Sequence, residues 1–74
     1  MDIPDRLIEL QTAADAEHAK LRGLDGDEHA AQWKRWRDAA VESQAAVTEH
    51  AQETGTPRNQ IEAAVKRAVR HPDG

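Results

Sequence analysis

The two tryptophans of the chain, Trp33 and Trp36, lie three residues apart and are interleaved with basic residues in a sequence without Phe, Tyr or Cys. Tryptophan on an amphipathic helix usually packs into a core, which is the first interpretation of the pair. Aromatic residues beside arginine are also typical of binding hot spots, so contact with a partner or a second copy is another. Stacking on bases of single-stranded nucleic acid is a third, which the neighbouring carboxylates disfavour.

Arg37 completes the set of partner-binding candidates with Trp33 and Trp36. It follows Trp33 by four residues, so on a helix its guanidinium is expected to lie over the Trp33 ring in a cation–π contact. A surface built from two tryptophans and an arginine would suit a protein partner.

Residues 48–70 resemble a helix-turn-helix, with Gly55 as the turn glycine. The second helix would offer polar and basic side chains to phosphates and base edges. These DNA-binding candidates are Arg58, Asn59, Gln60, Lys66, Arg67 and Arg70. Polar residues stand where aliphatic ones normally join the two helices of the motif: His50, Thr54 and Thr56. Basic residues near a helix C-terminus also complement its dipole, so DNA binding is the alternative hypothesis.

Metal binding and catalysis find little support in the residue types. Of the four histidines, His18 and His29 could approach each other in a hairpin, whereas His50 would lie about 30 Å along the same helix from His29. No His-x3-His pair and no nearby cysteine completes a metal site. Ser43 is the only serine, and no glycine-rich phosphate loop follows a strand. The sequence therefore predicts no metal, no cofactor and no enzymatic activity.

Local signals predict three helices, at about 3–22, 26–54 and 57–71. Asp2 and Pro4 are suited to the start of the first helix, and Gly23 to a left-handed cap after it. Asp25 with Glu28 resembles a capping box, after which no glycine or proline interrupts residues 27–54. Gly55 is expected to end the second helix, Thr56 to cap the third with Pro57 as its first residue, and Pro72 to stop the third helix.

Short turns make consecutive helices antiparallel, so the expected fold is an all-α three-helix antiparallel bundle with a long central helix, formed by a single domain of residues 1–74. The expected apolar stripe of the central helix is Ala30, Trp33, Trp36, Ala40, Val47 and Ala51, with Val41 at its margin. The region expected to have all three layers contains Ile3, Leu7, Leu10, Val41, Val47, Val65 and Val69. The tryptophans are expected to face Leu10, Ala13 and Ala14, with one side of each indole open.

The composition predicts a marginal core. Half of the 28 hydrophobic residues among 74 are alanine, and no disulfide is available. The net charge is −4, with −5 in residues 1–32 and +2 in residues 54–74, which disfavours strong non-specific binding to nucleic acid. The sequence shows neither a membrane-spanning run nor a signal peptide, which predicts a cytoplasmic location and no membrane partner.

Three strings, IPDRLIELQTAADA, WKRWRDAAVESQAAV and TGTPRNQIEAAVKRAVRH, carry a resemblance to short uncharacterised all-helical proteins of high-GC actinobacteria. The similarity spans most of the chain and implies an origin and a helical fold, but no role. The sequence therefore favours a small protein–protein interaction or regulatory accessory module, able to associate with itself through the Trp33/Trp36 face. A DNA-binding regulator using residues 48–70 is the alternative.

Overall fold

The computed structural model describes residues 3–71 as three α-helices: α1 at Asp5–Ala19, α2 at Gly26–Thr54 and α3 at Arg58–Arg70. No strand occurs within these residues, and the predicted all-α class is confirmed. The predicted bounds of α2 match the structure, and those of α3 differ by one residue at each end. The caps proposed at Asp2 and Pro72 lie outside the described residues.

α1 ends three residues earlier than predicted, because the chain turns at residues 20–23 instead of continuing as a helix. The main-chain N–H groups of Leu21 and Arg22 donate to the carbonyl oxygens of His18 and Ala19, at 3.1 and 3.3 Å. Gly23 then takes the left-handed conformation expected of it, with φ 79°. These turn hydrogen bonds satisfy groups that the end of a helix would otherwise leave without partners.

The predicted capping box before α2 does not form, since the Asp25 side chain makes no capping hydrogen bond. Gly26, the first residue of α2, has a φ of 58°, outside the helical region. Gly26 therefore still has the non-helical backbone of a cap residue. Glu28 lies only two residues after Gly26, whereas a capping box needs a spacing of three. The N-cap residue of α3 is Pro57, one residue after the predicted Thr56. Gly55 ends α2 with a left-handed φ of 67°.

α1 runs antiparallel to α2, as two side-chain hydrogen bonds between the helices show. Gln32 of α2 bonds to Glu17, and Ser43 bonds to Gln11. Ser43 lies farther along the chain from the α1–α2 turn than Gln11 does, whereas a simple hairpin would pair residues at equal distances from the turn. Side chains lean towards the N-terminus of their own helix, so they point away from the turn on α1 and towards it on α2, and each α1 residue therefore meets an α2 residue farther along the chain.

The core lies where all three helices meet, and it is small. Its buried members are Leu7, Ala46, Val47, Ile61 and Val65, with Ile3, Leu10, Ala51 and Val69 packed against them. The structure confirms the expected core positions except Val41, which is 61% exposed. α2 is rotated so that Gln32, Ser43 and Ala46 face inward, and this rotation turns Val41 outward.

α1 packs mainly against α2 and also against α3, whereas α2 and α3 contact each other least. The 29 residues of α2 account for the 42 Å length of the molecule, since each helical residue rises about 1.5 Å. One face of the middle of α2 therefore has no helix packed on it within residues 3–71. None of the helices described there combines the length and apolar character needed to cross a membrane.

Candidate functional site

Gln32 fixes the rotation of α2 at the end of the hairpin near the α1–α2 turn. Although polar, it is only 5% exposed. Its amide nitrogen donates to the main-chain oxygen of Glu17 at 2.8 Å and to the Glu17 Oε2 at 2.6 Å. A buried amide without partners is costly, so this pair of bonds holds residue 32 on the inner face of α2.

The adjacent Trp33 is consequently turned outward, since successive helical residues are separated by about 100°. Its side chain is 46% exposed, and Trp36 is half-buried. The partial exposure of both rings agrees with the open side expected for each indole, whereas Ala13, which was expected to face the rings, is itself exposed. The indole thus lies at the surface while its neighbour Gln32 takes the inner position.

Four aromatic rings form a continuous chain along this end of α2. The Trp33 and Trp36 ring centroids are 4.8 Å apart and tilted by 55°. His18 of α1 meets Trp36 edge-on at 5.2 Å, and His29 stacks on Trp33 at 6.3 Å. These spacings fall in the range of favourable aromatic pairs, so the exposed Trp33 is held in a fixed orientation.

Arg37 does not have the position predicted for it. The described ring contacts of Trp33 are with Trp36 and His29. Arg37 instead lines a groove beside Trp36. The two tryptophans are therefore joined by a ring–ring contact, and Arg37 lies beside Trp36 in the groove without a cation–π contact to Trp33.

The groove, called the α2 groove below, has a volume of about 400 Å³ and is open to solvent. It is lined by Trp36, Arg37, Ala40, Val41, Gln44, Ala45, Thr48 and Arg58. The α2 residues in this set recur at intervals of three and four, so they form one helical face, and Arg37 is the only charged residue among them. Sequence reasoning missed most of this face, because alanine occurs on every side of α2 and small residues at helical spacing therefore do not single out one face.

Arg58 forms the edge of the α2 groove at the start of α3. Its Nε donates to the Glu62 Oε1 at 3.0 Å, and a second guanidinium nitrogen donates to the Gln44 side-chain oxygen. These bonds join α3 to α2 at the groove. Arg58, predicted as a DNA contact, is thus engaged within the protein.

The Glu17 carboxylate that accepts from Gln32 has a lowered pKa. The Gln32 amide is the main cause, followed by the hydrogen bond from Lys20, and together they hold this pKa below its usual 4.5. A carboxylate whose pKa falls on folding stabilises the native state above the unfolded pKa. That contribution is lost as the pH falls through the folded pKa.

We expect wild-type stability to decline more steeply than that of Glu17→Gln as the pH is lowered from about 5 through the folded pKa of Glu17. The measurement is the urea midpoint by circular dichroism as a function of pH. Glu9→Gln, at an exposed position on α1, serves as the control and should keep the wild-type slope. Parallel pH profiles for wild type and Glu17→Gln would rule out this role for the Glu17–Gln32 pair.

The histidines are distributed in a way that does not assemble a metal site. His18 and His29 lie at opposite ends of the aromatic chain, separated by the two tryptophans. Within residues 3–71, no three His, Asp or Glu side chains are grouped so as to hold a metal ion. The single serine, Ser43, is buried and donates to the Gln11 side-chain oxygen at 3.4 Å.

The remaining DNA-binding candidates lie on the exposed side of α3. Asn59, Gln60, Lys66, Arg67 and Arg70 are all solvent-exposed. The α2–α3 turn is held by polar contacts. There the Thr54 hydroxyl donates to the His50 carbonyl oxygen at 2.8 Å and pairs with the Thr56 hydroxyl at 3.0 Å. The aliphatic contact that usually joins a helix-turn-helix is thus replaced by hydroxyl groups at this turn.

Comparisons of the chain with protein-family models, with curated proteins and with solved structures found no match. The resemblance to actinobacterial helical proteins stays a prediction. The α2 groove and the exposed Trp33 beside it are therefore the features of the molecule that bear on its function.

Proposed function

We propose that this chain is a small helical protein–protein interaction or regulatory accessory module whose binding surface is the α2 groove together with Trp33. The observation that carries the proposal is the outward position of Val41 and Trp33, at 61% and 46% exposure, on the face of α2 that no other described helix covers. A protein with so few large apolar residues places two of them at the surface. Binding to a partner would remove them from water.

The chemistry of the groove suits a protein surface better than a small polar ligand. Its floor is Ala40, Val41 and Ala45, with aromatic and arginine side chains at the rim. Tryptophan and arginine around a small apolar centre are the residue types enriched at binding hot spots. The fixed rings of Trp33 and Trp36 would also lose little side-chain freedom on binding.

The test is Val41→Asp, which places a carboxylate at the centre of the groove floor. We expect it to weaken binding of any partner by at least about tenfold, because a buried unpaired charge costs more than about 1.4 kcal/mol. Binding is measured by self-association in sedimentation equilibrium and by affinity capture from a cell extract, with captured proteins identified by mass spectrometry. Since Val41 is exposed in the monomer, the fold should be unaffected.

Ala63→Asp is the matched control, because Ala63 is exposed on α3, away from the groove. It adds the same charge and should leave binding unchanged. The proposal fails if the two variants behave alike, or if no protein, including a second copy, binds the wild type in a manner that depends on Val41. Urea denaturation of both variants confirms that they are folded.

A DNA-binding regulator is the alternative, favoured only by the exposure of Lys66, Arg67 and Arg70 along α3. The two salt bridges recorded within residues 3–71 involve none of these three bases. Such binding would be strongly sensitive to salt. Failure to retain the chain on duplex DNA of mixed sequence at low ionic strength would eliminate this alternative.

A further inference from the structure

We infer that the occupant of the α2 groove is a second copy of this chain, whose own α2 lies antiparallel along the groove with a two-fold axis near Val41. This inference builds on the proposed function, because it names the partner of the same surface. Three properties of α2 support it: the shape of the groove, the order of residue sizes along it and the order of charges along the helix.

The length and lining of the groove suit the packing of one helix along it. Its α2 lining runs from Trp36 to Thr48, which is about 18 Å at 1.5 Å per residue. Small residues in the middle, Ala40 and Val41, allow the axes of two helices to approach closely. A helix laid along this face would pack in the ordinary ridge-and-groove manner.

Along the groove face of α2, side-chain size decreases from the N-terminal to the C-terminal end, so the faces of two copies are complementary when the helices run antiparallel. The N-terminal end of the face carries the large rings of Trp33 and Trp36, and the C-terminal end carries the small Ala45 and Thr48. An antiparallel copy places the large end of each chain against the small end of the other. A parallel copy would oppose rings to rings and leave the small ends apart.

The charges along α2 also favour the antiparallel direction. Lys34, Arg35 and Arg37 are close to the tryptophans, in a half of α2 that also contains Asp27, Glu28 and Asp38, whereas the C-terminal half carries Glu42, Glu49 and Glu53 without a lysine or arginine. With Val41 at the axis, Lys34 of one copy lies level with residues 48 and 49 of the other. A parallel pair would instead place Lys34 beside Lys34 and Glu49 beside Glu49, which opposes association.

A two-fold arrangement uses the same surface on both chains, so the contact is closed and does not propagate. It would also enlarge the core of a chain that has only Leu7, Val47, Ile61 and Val65 as large buried aliphatic residues among those described. Small domains of this kind commonly gain stability by oligomerisation. The dimer would contain two α2 helices crossing at Val41, with α1 and α3 outside.

The experiment is cross-linking with single cysteines, which is unambiguous because the chain has none of its own. Lys34→Cys and Glu49→Cys are made separately, since both positions are exposed. A short bis-maleimide is added to each variant alone and to a refolded mixture of the two. The antiparallel dimer predicts cross-linked dimer in the mixture and only background in each variant alone, because the two thiols introduced at position 34 would be about 21 Å apart.

Val41→Cys alone should cross-link efficiently, and Lys66→Cys, on the outer side of α3, is the control that should not. Cross-linking of Lys34→Cys with itself would overturn the antiparallel arrangement. A chain that stays monomeric in sedimentation equilibrium up to millimolar concentration would overturn self-association altogether. Capture of a different protein through Val41 in that case would leave the proposed function standing, so the two failures are distinguishable.

Discussion

The substitution Ile61→Ala is expected to destabilise the protein by about 2–5 kcal/mol, which would leave much of the population unfolded at room temperature. Ile61 is 0% exposed and lies in the buried cluster with Leu7, Val47 and Val65. Its truncation leaves a cavity where all three helices meet, and the surrounding side chains relax into such a space only in part. A chain of this size has a small free energy of unfolding, so a loss of this magnitude removes much of it.

The measurement is urea denaturation followed by circular dichroism at low micromolar concentration, where association contributes least. Val41→Ala is the control, because this valine is 61% exposed and its truncation should change the free energy of unfolding by about 0.5 kcal/mol or less. The comparison also tests the rotation of α2, since the sequence pattern assigned Val41 to the core. Equal losses for the two variants would contradict the described packing.

The helices and their turns were predictable because local chemistry determines them. Gly23 and Gly55 occupy left-handed conformations that other residues rarely adopt, and they were identified from their position after amphipathic segments. Pro57 stands at the last residue before α3, where its missing N–H costs nothing. The capping box at Asp25 was not formed because it depends on backbone angles at Gly26 that the pattern of residue types does not specify.

The rotation of α2 about its axis was not predictable, because alanine occurs on all of its sides. An alanine-rich helix has no strongly marked apolar stripe, so the position of the tryptophans dominated the prediction. The structure instead buries two polar residues, Gln32 and Ser43, that have partners on α1. A pairing between Gln32 and Glu17, fifteen residues apart, is a tertiary feature that helical periodicity within α2 does not reveal.

The candidate site was predicted in part. Trp33, Trp36 and Arg37 were chosen for their residue types, and the structure places all three on one side of α2. The floor of the groove was missed, since Val41 was assigned to the core and Ala45 carried no signal of its own. Arg58 was assigned to DNA contact because it is basic, whereas its position at the start of α3 directs it to Gln44.

The second large effect is expected from Gln32→Glu, which keeps the shape of the side chain and replaces its donor by a carboxylate. At neutral pH this carboxylate would face the Glu17 carbonyl oxygen and carboxylate, which now accept hydrogen bonds at 2.8 and 2.6 Å. Gln32→Ala removes the same bonds without adding charge and should cost about 1–3 kcal/mol. We expect Gln32→Glu to be more damaging than Gln32→Ala, because repulsion is added to the lost bonds.

The pH dependence separates repulsion from simple loss of packing. Two carboxyl groups in contact raise the pKa of one of them, so Gln32→Glu should regain stability as the pH is lowered from about 7 towards about 4, while the wild type does not. The double variant Glu17→Gln/Gln32→Glu restores one amide and one carboxylate. It should recover part of the urea midpoint at neutral pH, but not all, because the main-chain oxygen of residue 17 still lacks its donor.

In a Trp33→Phe background, where Trp36 is the single tryptophan, its emission reports whether the rotation of α2 depends on this pair. His18 lies one residue from Glu17 and contacts Trp36 at 5.2 Å, so loosening of the Gln32 bonds should weaken that ring contact before the core around Ile61 opens. A red shift of emission in Gln32→Glu below the main unfolding transition, absent from the double variant, is the expected signature. Coincident loss of emission and helicity would mean instead that the hydrogen bonds at Gln32 stabilise the bundle as a whole and do not specifically position the tryptophan face.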